Sequence, residues 1–317
     1  MIGLKKPIVI FLMGATTTGK TDFAILLSKY LPIDIISVDS VLIYKNMNIG
    51  TAKPSCKILN KIPHKLINIK DPIESYSVFE FQNDAIREIN NSIALNRIPF
   101  LVGGTMLYYY VLLHGLYCTP PESAYFKTKI FSCVHNKEKI KNFYNLLKKI
   151  DPKTALLIHK NDIKRIARAL NIYFNTGQLV SNLKLKKKNR IHYEIIQFAM
   201  ISSDRIEVHK KIKNRFENML KMGFEEEVIH LFNRGDLNIN CPSIRSVGYR
   251  QMWNYLNKKI SYLEMKNQAI YATCQLYKKQ LTWIKKWKDV CFLNSDNKKL
   301  AIDTFFIVLK NNMILKI

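Results

Sequence analysis

Residues 7–21 read PIVIFLMGATTTGKT. The apolar run is long enough for one buried strand, and residues 14–21 match G-x-x-x-x-G-K-[ST] where that pattern requires, after a strand and before a helix. Each part has a physical purpose. Gly14 and Gly19 let the backbone turn tightly and aim N–H groups inward. The helix expected from about Thr21 to Lys29 adds the partial positive charge of its N-terminus. Lys20 supplies a mobile cation, and the Thr21 hydroxyl suits Mg²⁺, a hard ion that prefers oxygen. A bound polyphosphate is therefore expected on Gly14, Ala15, Thr16, Thr17, Thr18, Gly19, Lys20 and Thr21. The pattern does not say which polyphosphate, or what becomes of it.

Working outward, a second apolar run, IDIISV at 33–38, ends at Asp39, and a third, IPFLV at 98–102, ends at Gly103-Gly104. A helical pattern near 79–95 separates them. Strands alternating with helices predict a parallel sheet with right-handed crossovers. Carboxyl ends of such strands face one crevice, so Asp39 and Thr105 should lie near the loop. Asp-Ser is also a common turn or helix cap, which is the plainer reading of Asp39 by itself. The fold class is α/β: a P-loop NTPase-like parallel sheet core with a helical insertion domain. Residues 1–117 form the first part of the core. Residues 118–197 form the insertion, with helical patterns at 124–149 and 161–176 and a solvated loop at Lys184 to Arg190. Residues 198–317 complete the core. IIQFAMI at 195–201 reads as a core strand. Helices follow at about 205–222, 224–234, 246–256, 261–268 and 267–287, and the apolar end, 304–317, packs on the core.

Composition narrows the partners. Fifty Lys and Arg against 24 Asp and Glu leave a formal charge of +26, which favours a polyanion such as nucleic acid, with compositional drift toward Lys as the plainer alternative. Six cysteines, at 56, 118, 133, 241, 274 and 291, form no C-x-x-C pair and argue against zinc. No apolar run reaches membrane-spanning length. Lys5-Lys6 before the first apolar run mimics a signal peptide, but the run leads into the glycine loop, which predicts a retained cytoplasmic protein with no membrane association.

A phosphate loop serves kinases, ATPases and transferases that expel diphosphate. The chain resembles the tRNA dimethylallyltransferase (tRNA A37 isopentenyltransferase) family over nearly its whole length. The resemblance rests on FLMGATTTGKT, IISVDSVLIYKNMNIGTAKP, SYSVFEFQNDA, LVGGTMLYYYVLLHGL, RIARAL, PSIRSVGYRQMW and QLTWIKKW. It implies transfer of a dimethylallyl group from dimethylallyl diphosphate to N6 of adenosine 37, in the anticodon stem-loop of tRNAs reading codons that begin with U. Residues 14–21 would hold the donor's diphosphate, with Mg²⁺ at Thr21, and Lys20 and Arg215 would stabilise the leaving charge. Asp39 would take the proton from the attacking amine, and Thr105 would orient it.

By the same resemblance, tRNA contacts fall on four stretches. These are Asp39, Ser40, Val41 and Leu42; Lys164, Arg165, Ile166, Ala167 and Arg168; Arg245, Ser246, Val247, Gly248, Tyr249 and Arg250; and Lys278, Lys279, Gln280, Leu281, Thr282, Trp283, Ile284 and Lys285. Thr105 and Lys127 join them. A monomer is expected. In the third stretch an aromatic between two arginines suits stacking on a splayed base, although a helix start with a solvated face is the plainer reading. Trp283 and Trp287, four apart, read as core packing on one helix face. Ala15, Thr17 and Thr18 depart from the family's commoner Pro, Ala and Ser. Cys274, Lys279 and Lys285 stand where Arg is frequent, and lysine keeps charge but loses the planar fork.

The alternative is a P-loop small-molecule kinase, against which stand the basic excess and the lack of a recognisable lid. An RNA-binding protein using nucleotide as a switch is a further reading. No D-D-x-x-D cluster supports a chain-elongating prenyl synthase.

Overall fold

The computed structural model describes residues 6–116, 137–183 and 193–312. The chain divides into two compact units, Met1–Leu113 with Ile191–Ile317, and His114–Arg190. In the first, among the described residues, strands β1 (Ile8–Gly14), β2 (Ile33–Val38), β3 (His64–Lys65), β4 (Ile98–Gly103), β5 (Glu194–Ile201) and β6 (Cys291–Asn294) form one sheet. Its order is β3-β2-β4-β1-β5-β6, and all pairs are parallel. The expected parallel core is present. The short strands β3 and β6 at its edges carry too little periodicity to be read from sequence.

Alternation along β1 explains why both faces are covered. Ile10 and Leu12 point into one core, with Phe23, Ala24 and Leu27 of α1 (Lys20–Leu27). Val9, Phe11 and Met13 point into the other, with Phe81, Ala85 and Ile89 of α3 (Val78–Ala94) and Tyr109 of α4 (Met106–His114). Helix α2 (Cys56–Lys61) lies between β2 and β3 in the chain. Helix α3 starts where Ser77 and Glu80 close a reciprocal capping box.

The second unit has its own small core of Leu147, Ala155, Ile166, Ala169 and Leu170. It is built from α5 (Lys137–Ile150), α6 (Pro152–Leu157) and α7 (Ile163–Thr176). Asp151 ties these pieces, accepting from the Thr154 N–H and hydroxyl and from the Ser181 N–H. Residues 124–136 of the expected first helix, the loop at 184–190, and Lys127 lie outside the described residues.

Back in the first unit, β5 bears out the core strand expected at 195–201, so the expected insertion boundary at 197 falls inside the sheet. After β5 come α8 (Arg205–Lys221), α9 (Phe224–Phe232), α10 (Tyr249–Leu256), α11 (Tyr262–Lys285) and α12 (Lys298–Asn311). The two helices expected at 261–268 and 267–287 are one. Ser261 and Glu264 cap its start, and no Gly or Pro interrupts the following turns. Helix α12 packs Phe305 against Phe23, Phe100 and Phe198, at centroid distances of 5.8, 6.1 and 4.6 Å.

Candidate active site

A cleft of about 450 Å³ opens at the carboxyl ends of β1, β2 and β4. The phosphate loop lines it with Thr16, Thr17, Gly19, Lys20 and Thr21. Ala15 and Thr18 turn inward instead, and the Thr18 hydroxyl donates to the Ala15 carbonyl at 2.9 Å. Thr17 sits at φ 66°, a left-handed conformation costly for a β-branched residue, and its hydroxyl donates to the Thr16 carbonyl at 2.6 Å. Gly19, at φ 77°, caps α1, and no side chain occupies that cap. The first N–H groups of the helix therefore remain available to an anion. A Cβ on Gly14 would lie 2.9 Å from both Lys20 Cδ and Thr18 Oγ1.

Lys20 Nζ donates to the Ala15 carbonyl at 2.6 Å. Burial and then the nearby Arg215 guanidinium bring its pKa down to about 7, against the opposing pull of Asp39. Arg215 shares the cleft-facing side of α8 with Ile212, Phe216 and Met219. Its guanidinium donates to the Thr51 carbonyl at 3.4 Å, and burial lowers its pKa while Asp39 and Asp22 oppose. Two crowded cations, each partly stripped of water, make a site short of negative charge.

Asp39 is both a cap and a cleft residue. Its Oδ1 accepts from the Val41 and Leu42 N–H groups at 2.8 and 3.1 Å, and the side chain lines the cleft with Lys20 and Arg215. Thr105 stands at the start of α4, its N–H bonded to the Val38 carbonyl at 3.2 Å; the lining there comes from Gly103 and Gly104. Ile25, Ile58, Ile212, Phe216, Met219 and Leu276 give the cleft an apolar portion.

Sequence reasoning missed how the opposite wall, Gly50 to Pro54, is held. Glu227 on α9 accepts the N–H groups of Asn48, Ile49 and Gly50 at 2.7, 2.8 and 3.1 Å, and the Tyr249 hydroxyl at 2.5 Å. In sequence Glu227 is only one of three acidic residues in a helix's first turn. No local signal singles it out.

The stretches expected to touch RNA divide by burial. Lys164 and Arg165 are exposed, whereas Ile166 is core. Arg245 and Arg250 are exposed, and Ser246, Val247 and Gly248 line the cleft. Tyr249 between them is fully buried, packed on Phe224 at 5.1 Å, so the expected stacking platform is absent: the ring starts α10 pointing into the core. Lys278, Lys279, Thr282 and Lys285 are exposed, and Ile284 is buried. Ser40 is exposed, with Val41 and Leu42 on the cleft. The tryptophans do not behave as an equal core pair. Trp283 is 39% exposed beside Tyr110, while Trp287, beyond the end of α11, packs on the core and donates to Gln197 at 2.8 Å.

Comparison with known proteins gives the family. The IPP transferase family model matches residues 42–287, and an isopentenyl transferase model matches residues 7–73. The chain is 52% identical over 287 residues to the tRNA dimethylallyltransferase of Buchnera aphidicola subsp. Acyrthosiphon pisum (strain APS), covering 90% of each. It is 48% identical over 309 residues to that of Blochmanniella floridana, covering 96% of this chain and 95% of the relative. The full-length tRNA isopentenylpyrophosphate transferase from Bacillus halodurans superposes with a TM-score of 0.69 at 31% identity, over 96% of both chains. Since so much of the sequence follows the family pattern and its glycine loop opens on this cleft, the chain belongs to the IPP transferase family.

Proposed function

We infer that the protein is an enzyme that transfers the dimethylallyl group of dimethylallyl diphosphate to N6 of adenosine 37 in tRNAs reading codons that begin with U. The products are N6-(dimethylallyl)adenosine and diphosphate. The observation that carries the reading is the convergence of Lys20, Asp39 and Arg215 on one cleft with an apolar portion beside the phosphate loop. The apolar portion suits the prenyl tail of the donor.

The diphosphate sits on the loop N–H groups, Lys20 and Arg215. These donors meet the charge that develops as the C1–O bond breaks, the largest contribution expected for such a leaving group. Positive charge spreads over the allyl group against the apolar wall. The N6 amine of adenine forms the new bond to C1 and passes its proton to Asp39, whose Oδ1 is already held by two N–H groups. Thr105 orients the amine. Thr21 lines the cleft, and its hydroxyl is an oxygen donor of the kind Mg²⁺ takes, an ion that otherwise keeps waters and phosphate oxygens. Thr21 would hold the ion, which would supply neutralising charge on the diphosphate.

Adenosine 37 must leave the loop stack to reach C1, at a cost lower than in a duplex. The exposed basic side chains at 164–168, 245–250 and 278–285 would grip the anticodon stem-loop by its phosphates. On this reading the protein works as a monomer in the cytoplasm. No described helix is long and apolar enough to cross a membrane.

Incubation with labelled dimethylallyl diphosphate and unmodified tRNA, followed by digestion of the RNA, tests the reading. Label on adenosine is expected. Unlabelled RNA with intact donor would remove it.

A further inference from the structure

Gln280 on α11 spends both ends of its carboxamide on backbone. Oε1 accepts the Thr16 N–H at 2.9 Å, and Nε2 donates to the Gly104 carbonyl at 2.9 Å. These two groups belong to different strand ends. Thr16 lies in the phosphate loop after β1, and Gly104 follows β4 and precedes Thr105. The approach is tight: a Cβ on residue 104 would lie 2.5 Å from Nε2 and 3.1 Å from the Gly14 carbonyl, so only glycine admits the amide. Lys278, Lys279 and Lys285 of the same helix are exposed.

We propose that Gln280 is a positioning residue: it sets the phosphate loop against the Gly104-Thr105 turn and ties both to the helix bearing the exposed lysines. The proposal rests on the transfer reading above. The chemistry favours a neutral amide here. Only a side chain with one acceptor and one donor, separated as in a carboxamide, satisfies an N–H and a carbonyl at once. It does so without placing charge beside Lys20, and it leaves the N–H groups of the first turn of α1 to the diphosphate. A carboxylate in its place still accepts from Thr16 but meets the Gly104 carbonyl lone pairs; once protonated, it donates again.

The test uses the full chain, with Gln280→Glu, Gln280→Leu and wild type compared for transfer, tRNA binding and thermal unfolding. Both variants should lose about tenfold or more in kcat/KM for the donor at alkaline pH, the effect of a misplaced hydrogen-bonded pair. Their tRNA affinity should stay within about twofold. Gln280→Glu should recover as pH falls and its carboxyl takes up a proton, and Gln280→Leu should not. Rates are read as ratios to wild type, because Lys20, Asp39, Arg215 and Asp22 line the same cleft. The proposal is overturned if both variants keep donor kcat/KM, if tRNA affinity alone falls, or if the loss in Gln280→Glu is the same at every pH. A wild type that transfers no prenyl group removes the transfer reading and this proposal together; an active wild type with unaffected variants removes only the proposal.

Discussion

The loop at 14–21 and the segment at 245–250 both present a binding pattern in sequence, and the fold treats them differently. The loop takes the shape its pattern predicts because that pattern lies in backbone. Gly19 at φ 77° and an open N-terminus on α1 aim N–H groups at the cleft whatever the side chains between them are. The segment's pattern lies in side chains, and the most suggestive of them, Tyr249, is fully buried. Its hydroxyl reaches Glu227, which also pins the 48–50 turn. The aromatic thus serves the cleft from behind, holding a wall. A motif written in backbone geometry can be read locally, whereas one written in side chains waits on where each residue faces.

The sharpest way to break this contrast is at Asp39, the one carboxylate shared by cap and cleft. Asp39→Ala should lower turnover by about 10³-fold, the range of a lost general base, while donor and tRNA affinities hold. Single-turnover transfer and separate binding measurements check it, and unchanged turnover would take the base role from Asp39.

Tyr249 probes the other side. Tyr249→Phe removes a hydrogen bond to a carboxylate, a loss of about 2 kcal/mol in stability. Denaturant unfolding should show that loss while tRNA affinity stays put. Weakened tRNA binding with undiminished stability would restore the stacking role.

Protonation sharpens the loop's side of the comparison. Lys20 has its pKa brought down to about 7 in the free protein, and the negative charge of a diphosphate bound beside it would raise it. Below that pH the lysine is already charged. Above it, binding must take up a proton, so donor affinity should fall with rising pH by up to about tenfold per unit. Calorimetry in buffers of different ionisation enthalpy reads the uptake. Lys20→Arg, which stays charged, should abolish the lysine's part of the slope and leave only the donor's own ionisation.

The smallest effect belongs to the exposed charges. Lys285→Ala should weaken tRNA binding severalfold and reduce the slope of log affinity against log salt by about 1. A change in turnover with an unaltered salt slope would place Lys285 in the chemistry instead.

Where the sequence was legible, neighbours in the chain carry the information. Strand alternation, the glycine loop, and Asp39 and Gly103-Gly104 at strand ends follow from consecutive residues. The course of α11 was within reach too: the expected ranges 261–268 and 267–287 overlap, and the absence of Gly or Pro between them lets one helix run through. Arg215 was placed by family resemblance, since charge on a helix face is otherwise unremarkable.

Sequence alone determined the parallel sheet, the phosphate loop at its centre and the crevice that strand ends must share, because φ/ψ preferences and hydrophobic alternation act over a few residues. Tertiary structure decided which groups complete that crevice. Glu227 meets Asn48 across 179 positions, and Gln280 meets Thr16 across 264. Such pairings are fixed by the packing of whole helices on a sheet: a polar side chain in a helix satisfies local propensity equally well pointing to water or to a distant N–H, and only burial on that face selects between them.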